Sequence, residues 1–260
     1  MPSFDGRFEE LTASMFFRGN IILNSDEIET KKGNRNAMTL AKKIAARLPN
    51  RWQAEMKRIY FGSQICKGNF KTDEPEYKIL PQLINHGDWV VDIGANVGHY
   101  TKRFSELVGA CGRVIAFEPV PATFSLLAAN VQLFAHPNVT LINAAVSDRC
   151  NAIGMSIPKF STGLDNYYVA HLSSDADIAA LSVLTISLDS ISVSQRIALI
   201  KIDAEGHESF VLSGTQGLLK YHPILIVETS HDEIIAYLTS LGYVSEKLKN
   251  SPNVLFKANI

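Results

Sequence analysis

The sequence predicts an α/β fold, a mostly parallel sheet covered by helices on both faces, and three observations carry that prediction. Apolar runs of strand length alternate with helical patterns through most of the chain after residue 73. Four of those runs end on or beside an acid: Asp92, Glu118, Asp203 and Glu228. The last two runs, 243–248 and 254–258, flank a short turn at Asn250-Ser-Pro-Asn253 and read as an antiparallel hairpin at one edge.

Residues 1–72 are set apart by charge and are expected to form a basic, mainly helical cap ahead of a domain over 73–260. Lys31 to Lys71 contains eleven Lys and Arg against one acid, Glu55, a local +10 in a chain of net charge −1. Ala37, Leu40, Ala41, Ile44 and Leu48 recur at helical spacing, and so do Trp52, Met56, Ile59 and Tyr60. Two phenylalanine-rich segments, Phe4–Phe8 and Met15–Phe17, carry no clear pattern. The basic faces read as solvated helix surface, with docking of an anionic acceptor or a membrane surface as the sharper alternative. No aromatic interleaving or RNA-reading motif accompanies them, so no nucleic-acid partner is expected.

The linker 67–75 is turn-rich. A helix is expected over 76–84, with Tyr77, Leu80, Leu83 and Ile84 on one face and Pro81 as an interruption. Trp89–Val91 is a strand running into Asp92, Gly94–Gly98 a sharp turn, and Tyr100–Val108 a helix. The strand Val114–Phe117 then ends at Glu118, completing a nucleotide-binding βαβ pattern. Pro121 opens a helix to about Phe134, as suits proline in a first turn. Val139–Val146 reads as the third strand. Residues 147–180 are irregular, with a short strand near Met155–Pro158 that pairs with Val183–Leu188 outside the main sheet. Within them, 160–180 reads as a lid bearing Thr162, Asp165, Asn166, Tyr167, Tyr168 and His171. Ile197–Ile202 is a buried strand, Glu208–Lys220 a helix, Pro223–Val227 a strand and Asp232–Leu241 a helix.

The chemistry concentrates where strands end. A dinucleotide site needs G-x-G-x-x-G, whose middle glycine admits the pyrophosphate. Here Gly94 and Gly98 enclose Ala95, Asn96 and Val97, so that glycine is missing. Asp92, two positions before Gly94, would repel a phosphate but can hold an ammonium group. S-adenosylmethionine (SAM), which has an ammonium and a ribose but no phosphate, fits better than NAD. Glu118 is placed to accept hydrogen bonds from the ribose diol. The exit of the Ile197–Ile202 strand, Lys201-Ile-Asp-Ala-Glu-Gly-His-Glu208, is the densest polar cluster in the chain. Asp203, Glu205 and His207 are the candidate catalytic residues, with Asp203 first and His207 second as base, against the plain reading of acids complementing a helix dipole. Asp203, Glu205 and Glu228 are also hard oxygen donors that could hold Mg²⁺ or Ca²⁺, although no dedicated metal site is expected.

Hydrophobic content of 46% and charged content of 20% suit a globular protein. No apolar run reaches the roughly 18 residues that span a bilayer. The start, MPSFDGRFEE, lacks the pattern of a signal peptide, and Cys66, Cys111 and Cys150 are too scattered for a disulfide frame or a zinc site. A cytoplasmic protein is expected.

Several motifs together resemble one family. Asp92-Ile-Gly-Ala-Asn-Val-Gly98, Phe117-Glu-Pro119, Ala145-Val-Ser-Asp148, Ser187-Leu-Asp189, Ile200-Lys-Ile-Asp-Ala-Glu-Gly-His-Glu208 and Ile224-Leu-Ile-Val-Glu228 look like the motif series of FkbM-type methyltransferases, over roughly 73–260. The resemblance implies a Rossmann-like class I fold with a seven-stranded sheet, its last strand antiparallel. It implies SAM as cofactor and S-adenosylhomocysteine (SAH) as product. The acceptor would be a hydroxyl of a sugar, polyketide or similar small molecule or glycan. Carried over, Asp92, Gly94, Ala95, Asn96 and Gly98 would line the methionine part of SAM, with Tyr100 and Thr101 beside it. Glu118 would bind the ribose, Pro119 and Val120 would lie near adenine, and Asn143 to Val146, Ala145 among them, would close that pocket. A non-catalytic SAM-binding module and an NAD-dependent oxidoreductase remain the alternatives.

Overall fold

The computed structural model describes residues 49–159, 170–173, 181–191, 193 and 195–259. The expected helix over 37–48, the phenylalanine-rich segments and, of the expected lid, Thr162, Asp165, Asn166, Tyr167 and Tyr168 lie outside the described residues. The described residues fall into two compact units, 49–69 with Lys159 in one and 70–158 with those from 170 onward in the other. The first holds helix α1, Asn50–Cys66, which contains the expected Trp52–Tyr60 pattern.

The larger unit is built on a seven-stranded sheet. Its strands are β1 (Trp89–Ile93), β2 (Arg113–Phe117), β3 (Val139–Ile142), β8 (Ile197–Ile202), β9 (Ile224–Glu228), β10 (Tyr243–Lys247) and β11 (Asn253–Ala258). They lie in the order β10-β11-β9-β8-β1-β2-β3. Every pairing from β9 to β3 is parallel, whereas β11 runs antiparallel between β9 and β10. The seven strands and the closing hairpin are those expected, with the last strand seated inside the sheet and β10 outside it.

Side chains alternate across the strands and so build two cores. On one face Val90, Val114, Leu199, Ile226 and Leu255 meet Leu80 and Leu83 of α2 (Pro75–Leu83) and Phe104 and Val108 of α3 (His99–Val108). On the other, Val91, Ile115, Ile200, Val227 and Phe256 meet Val211 and Leu212 of α5 (Glu208–Ser213) and Ile234 and Leu238 of α7 (Asp232–Ser240). Helix α4 (Pro121–Val131) packs Phe124, Leu127 and Val131 against Ala95, Ala116 and Leu141.

Two expectations need correction. The third strand stops at Ile142, and Ala145–Val146 forms β4 of a second, four-stranded sheet with β5 (Asn151–Ser156), β6 (His171–Ser173) and β7 (Leu181–Ile186). The chain turns between them at Asn143, whose amide donates to the carbonyls of Glu118 (2.8 Å) and Pro119 (3.0 Å). β5 pairs with β7 outside the main sheet as expected, each strand starting a few residues earlier than expected, and the pairing is antiparallel. The expected single helix over 208–220 is two, α5 and α6 (Gln216–Leu219). Gly214 lies so close to the Ser147 carbonyl that a Cβ there would be 1.9 Å from its oxygen. Asp189 then takes the free N–H groups of Gly217 and Leu218, starting a new helix. Cys66, Cys111 and Cys150 are free and exposed, and no described helix is long and apolar enough to cross a membrane.

Candidate active site

The glycine turn after β1 lies over the end of the sheet. Gly94 has φ +78°, and a Cβ on it would be 1.9 Å from the Asp203 carbonyl oxygen. The turn thus lies directly on the exit of β8, and Asp203 N–H donates to the Ile93 carbonyl at 3.1 Å. Gly98, at φ +99°, is the residue before α3 and leaves room for Leu127, whose Cδ1 a Cβ would meet at 2.7 Å. Asn96 between them is held at φ 51°, a left-handed conformation that costs a non-glycine residue of order 1–3 kcal/mol. Ala95 is buried beside Ala116 and Leu127.

Asp92 is fully buried on the α3 side of β1. Thr101 Oγ1 donates to its Oδ2 at 2.6 Å, while its Oδ1 has no hydrogen-bond partner. Burial raises its pKa; the Lys201 ammonium and the Thr101 bond oppose that. Lys201 pairs with Asp92 in the strand register, so both project to the same face. Its Nζ lies 2.9 Å from Asp203 Oδ2 and 4.6 Å from the centre of the Tyr100 ring. Burial works against the charge on Lys201, but Asp203 and Asp92 outweigh it and hold its pKa above the ordinary value. Tyr100 in turn donates its hydroxyl to Glu74 Oε2 at 2.6 Å.

Glu118, just past β2, is also buried. It accepts N–H bonds from Asn96 and Val120, both 2.9 Å, one on each carboxylate oxygen. Burial pushes its pKa up to about 7, with those two bonds opposing. Each oxygen keeps a lone pair for another donor. Pro119 and Val120 follow at the β2 exit, Asn143 at the β3 exit holds the Glu118 and Pro119 carbonyls, and Ala145 is buried in β4.

The three candidate catalytic residues are placed differently from one another. Burial would raise Asp203, but Lys201 beside it and a hydrogen bond from Glu228 bring it below the ordinary carboxylate range. Glu228 is pushed up to about 8 by burial and by Asp203, so at neutral pH it is the member of the pair that keeps the proton. Glu205 has a left-handed backbone, φ 49°, and its pKa is pushed to about 7 by burial, Asp203 and Glu208. His207 immediately precedes α5, stacks on Phe210 and has Nε2 2.9 Å from Ser147 Oγ. Burial lowers its pKa. Among the described residues no group of three or more His, Cys, Asp or Glu side chains is arranged to hold a metal ion, the set Asp203, Glu205 and Glu228 included.

Sequence reasoning missed the buried polar layer joining these groups. Lys201 and Glu76 belong to it, with the exposed Glu74 at its edge accepting from Tyr100, and Glu76 accepts a hydrogen bond from the Asn253 amide of β11. Lys201 could have been found, because a lone charge inside the apolar run Ile197–Ile202 is seldom buried without a partner.

The orphaned Asp92 oxygen suits an ammonium donor and the half-used Glu118 carboxylate suits a diol, so the pocket chemistry fits SAM. The family model for the methyltransferase FkbM domain matches residues 92–245. A ribosomal RNA large subunit methyltransferase E from Methanothermobacter thermautotrophicus is 36% identical over 73 residues, 26% of this chain, and the chain spans 34% of that relative's length. The crystal structure of methyltransferase FkbM from Methylobacillus flagellatus KT gives a TM-score of 0.49 at 16% identity, over 86% of this chain and 59% of the other. A SAM-dependent O-methyltransferase from Thermotoga maritima gives 0.47 at 12%, over 77% and 72%. An rRNA methylase from Streptococcus thermophilus gives 0.43 at 12%, over 71% and 95%. Because the family model runs through more than half of the sequence, from Asp92 in β1 to β10, this chain belongs to the FkbM methyltransferase family.

Proposed function

We propose that the protein methylates a hydroxyl oxygen of a small molecule or glycan, and that Glu205 accepts the hydroxyl proton. The observation that carries this reading is the loop after β8, where a carboxylate with a pKa near 7 lines a cavity at the sheet end. A hydroxyl needs a base to become a competent nucleophile, and a base poised near the working pH adds about 10²–10⁴ in rate. Asp203, kept ionised by Lys201, is a weaker base but a stable negative charge next to Gly94. His207 is turned towards Ser147 and orients the loop.

When bound, SAM supplies a methyl group on a sulfonium sulfur: the acceptor oxygen forms the new C–O bond as the S–C bond breaks, leaving SAH. Asp92 Oδ1 would hold the ammonium, Gly94, Ala95, Asn96 and Gly98 would line the methionine part, and Tyr100 and Thr101 would fix Lys201 and Asp92 behind it. Glu118 would take the ribose hydroxyls, with Pro119, Val120, Asn143 and Ala145 around the adenine. The loop Asp203-Ala-Glu-Gly206 supports oxygen as the acceptor atom, since it lacks the Asn/Asp-Pro-Pro-aromatic sequence of amine methyltransferases.

Transfer of labelled methyl from SAM to a panel of hydroxylated acceptors, with mass analysis of the product, tests the reading. Methyl ether formation that falls at least a hundredfold in Glu205→Gln supports it. Tight SAM binding with no transfer to any acceptor, or transfer to nitrogen, overturns it.

A further inference from the structure

A cavity of about 370 Å³ opens between the exits of β8 and β9 and the turn joining β10 to β11. That volume is near the lower end of the roughly 300–1,000 Å³ usual for small-molecule sites, enough for one or two rings. Its floor is acidic, with Glu205 and Glu228 facing in beside Glu208, whose Oε1 is already used by the N–H groups of Ala204 and Gly206. The opposing charge is one exposed ammonium, Lys247, and the His231 imidazole lies at the rim.

The rest of the wall is divided by chemistry. Thr229 Oγ1 accepts the His231 N–H at 3.1 Å and Ser251 Oγ accepts the Asn253 N–H at 2.9 Å. Each hydroxyl therefore keeps its own O–H to donate. Leu248 and Pro252 give an apolar patch on the hairpin side. Asn253 pairs with Glu228 across β11 and β9, is 6% exposed and lines the same cavity. Its Oδ1 has no hydrogen-bond partner, an unmet acceptor in a cavity wall.

Building on the methyl-transfer reading above, we infer that this cavity is the acceptor site and that it takes a single hydroxyl-rich ring carrying no negative charge. Hydroxyls donate to the carboxyl oxygens of Glu205 and Glu228 and accept from Thr229 and Ser251, while the C–H face of a ring covers Leu248 and Pro252. A phosphate or carboxylate on the ring meets the carboxylates of Glu205 and Glu208, with Glu228 protonated beside Asp203 and Lys247 as the one lining ammonium to offset them, so like charges disfavour it. The anionic acceptor that the basic segment 31–71 leaves open is not what this cavity is built for.

The test uses the full chain with SAH and needs no turnover. Saturation-transfer NMR is recorded with methyl glycosides of the common hexoses and with the matching methyl uronates. At least one neutral glycoside is expected to bind, with its uronate at least tenfold weaker. Ser230→Trp, which fills the cavity from an exposed rim position, is expected to abolish glycoside binding while calorimetry with SAH is unchanged. Uronates binding as well as neutral rings, no neutral ring binding, or Ser230→Trp leaving glycoside binding intact would each overturn the site. Glycoside binding blocked by Ser230→Trp, without methyl transfer to oxygen, upholds the site and removes the reaction proposed for it.

Discussion

Lys201 carries its charge into a strand whose other residues are all apolar, and the consequences can be measured one side chain at a time. Its Nζ is shared by Asp203 and the field of Asp92, both carboxylates that burial would otherwise force towards the neutral form. Lys201→Met should cost about 3–5 kcal/mol in chemical denaturation, the usual result of stripping one partner from a buried pair; an unchanged midpoint would show that the pair is dispensable. Glu228 is the opposite case. Its pKa rises from 4.5 to about 8 on folding, so the folded chain holds a proton that the unfolded chain releases. That contribution is full below about pH 4.5 and is lost as pH climbs through about 8. Glu228→Gln should therefore flatten the decline in stability between those values, read as melting temperature against pH. For Glu205 the relevant profile is rate: transfer should rise through about pH 7 as the carboxylate loses its proton, and Glu205→Gln should erase that limb. The acids themselves were legible in the sequence because each closes an apolar run. Their relationships were not. Glu76 and Asn253 bond across 177 positions, and no local pattern encodes such a contact.

Among the elements, β1, α3 and β2 were the most legible, because strand, turn and helix signals follow one another without a gap. A glycine in such a turn lets a ligand approach the backbone, yet the tightest contact of Gly94 is with the protein, at the Asp203 carbonyl. Gly94→Ala must displace that carbonyl as well as adopt φ near +78°. It should weaken SAH binding at least tenfold in calorimetry and lower the melting temperature. A variant that binds SAH normally would show that the turn and the β8 exit move independently. The two errors of element assignment share a cause. Strand 139–146 and helix 208–220 are each interrupted by contacts with distant chain, Asn143 with the Glu118 turn and Gly214 with Ser147. Apolar periodicity runs straight through both breaks, since the interruption is tertiary.

At the scale of the molecule, the alternation of strands and helices sufficed to foresee the parallel sheet and the antiparallel hairpin, while the strand order came from no single segment. Ligand linkage gives the simplest global measurement. At about 100 times its Kd, SAH should add about 2.7 kcal/mol to stability. For a chain of this size that corresponds to a rise of about 5–11 °C in melting temperature. NADH at the same concentration should leave it unchanged, and a larger shift with NADH would contradict the cofactor reading.

The seat of β11 between β9 and β10 has a separate consequence. β10 comes earlier in the chain, yet it pairs with β11 alone. No nascent chain that stops short of Asn253 can therefore dock β10, and Glu76 must wait for the same residue to supply its amide donor. Completion of the sheet and closure of the cavity rim thus become one late event in biosynthesis, and a frameshift or protease nick just before residue 253 would leave β9 as a bare, aggregation-prone edge.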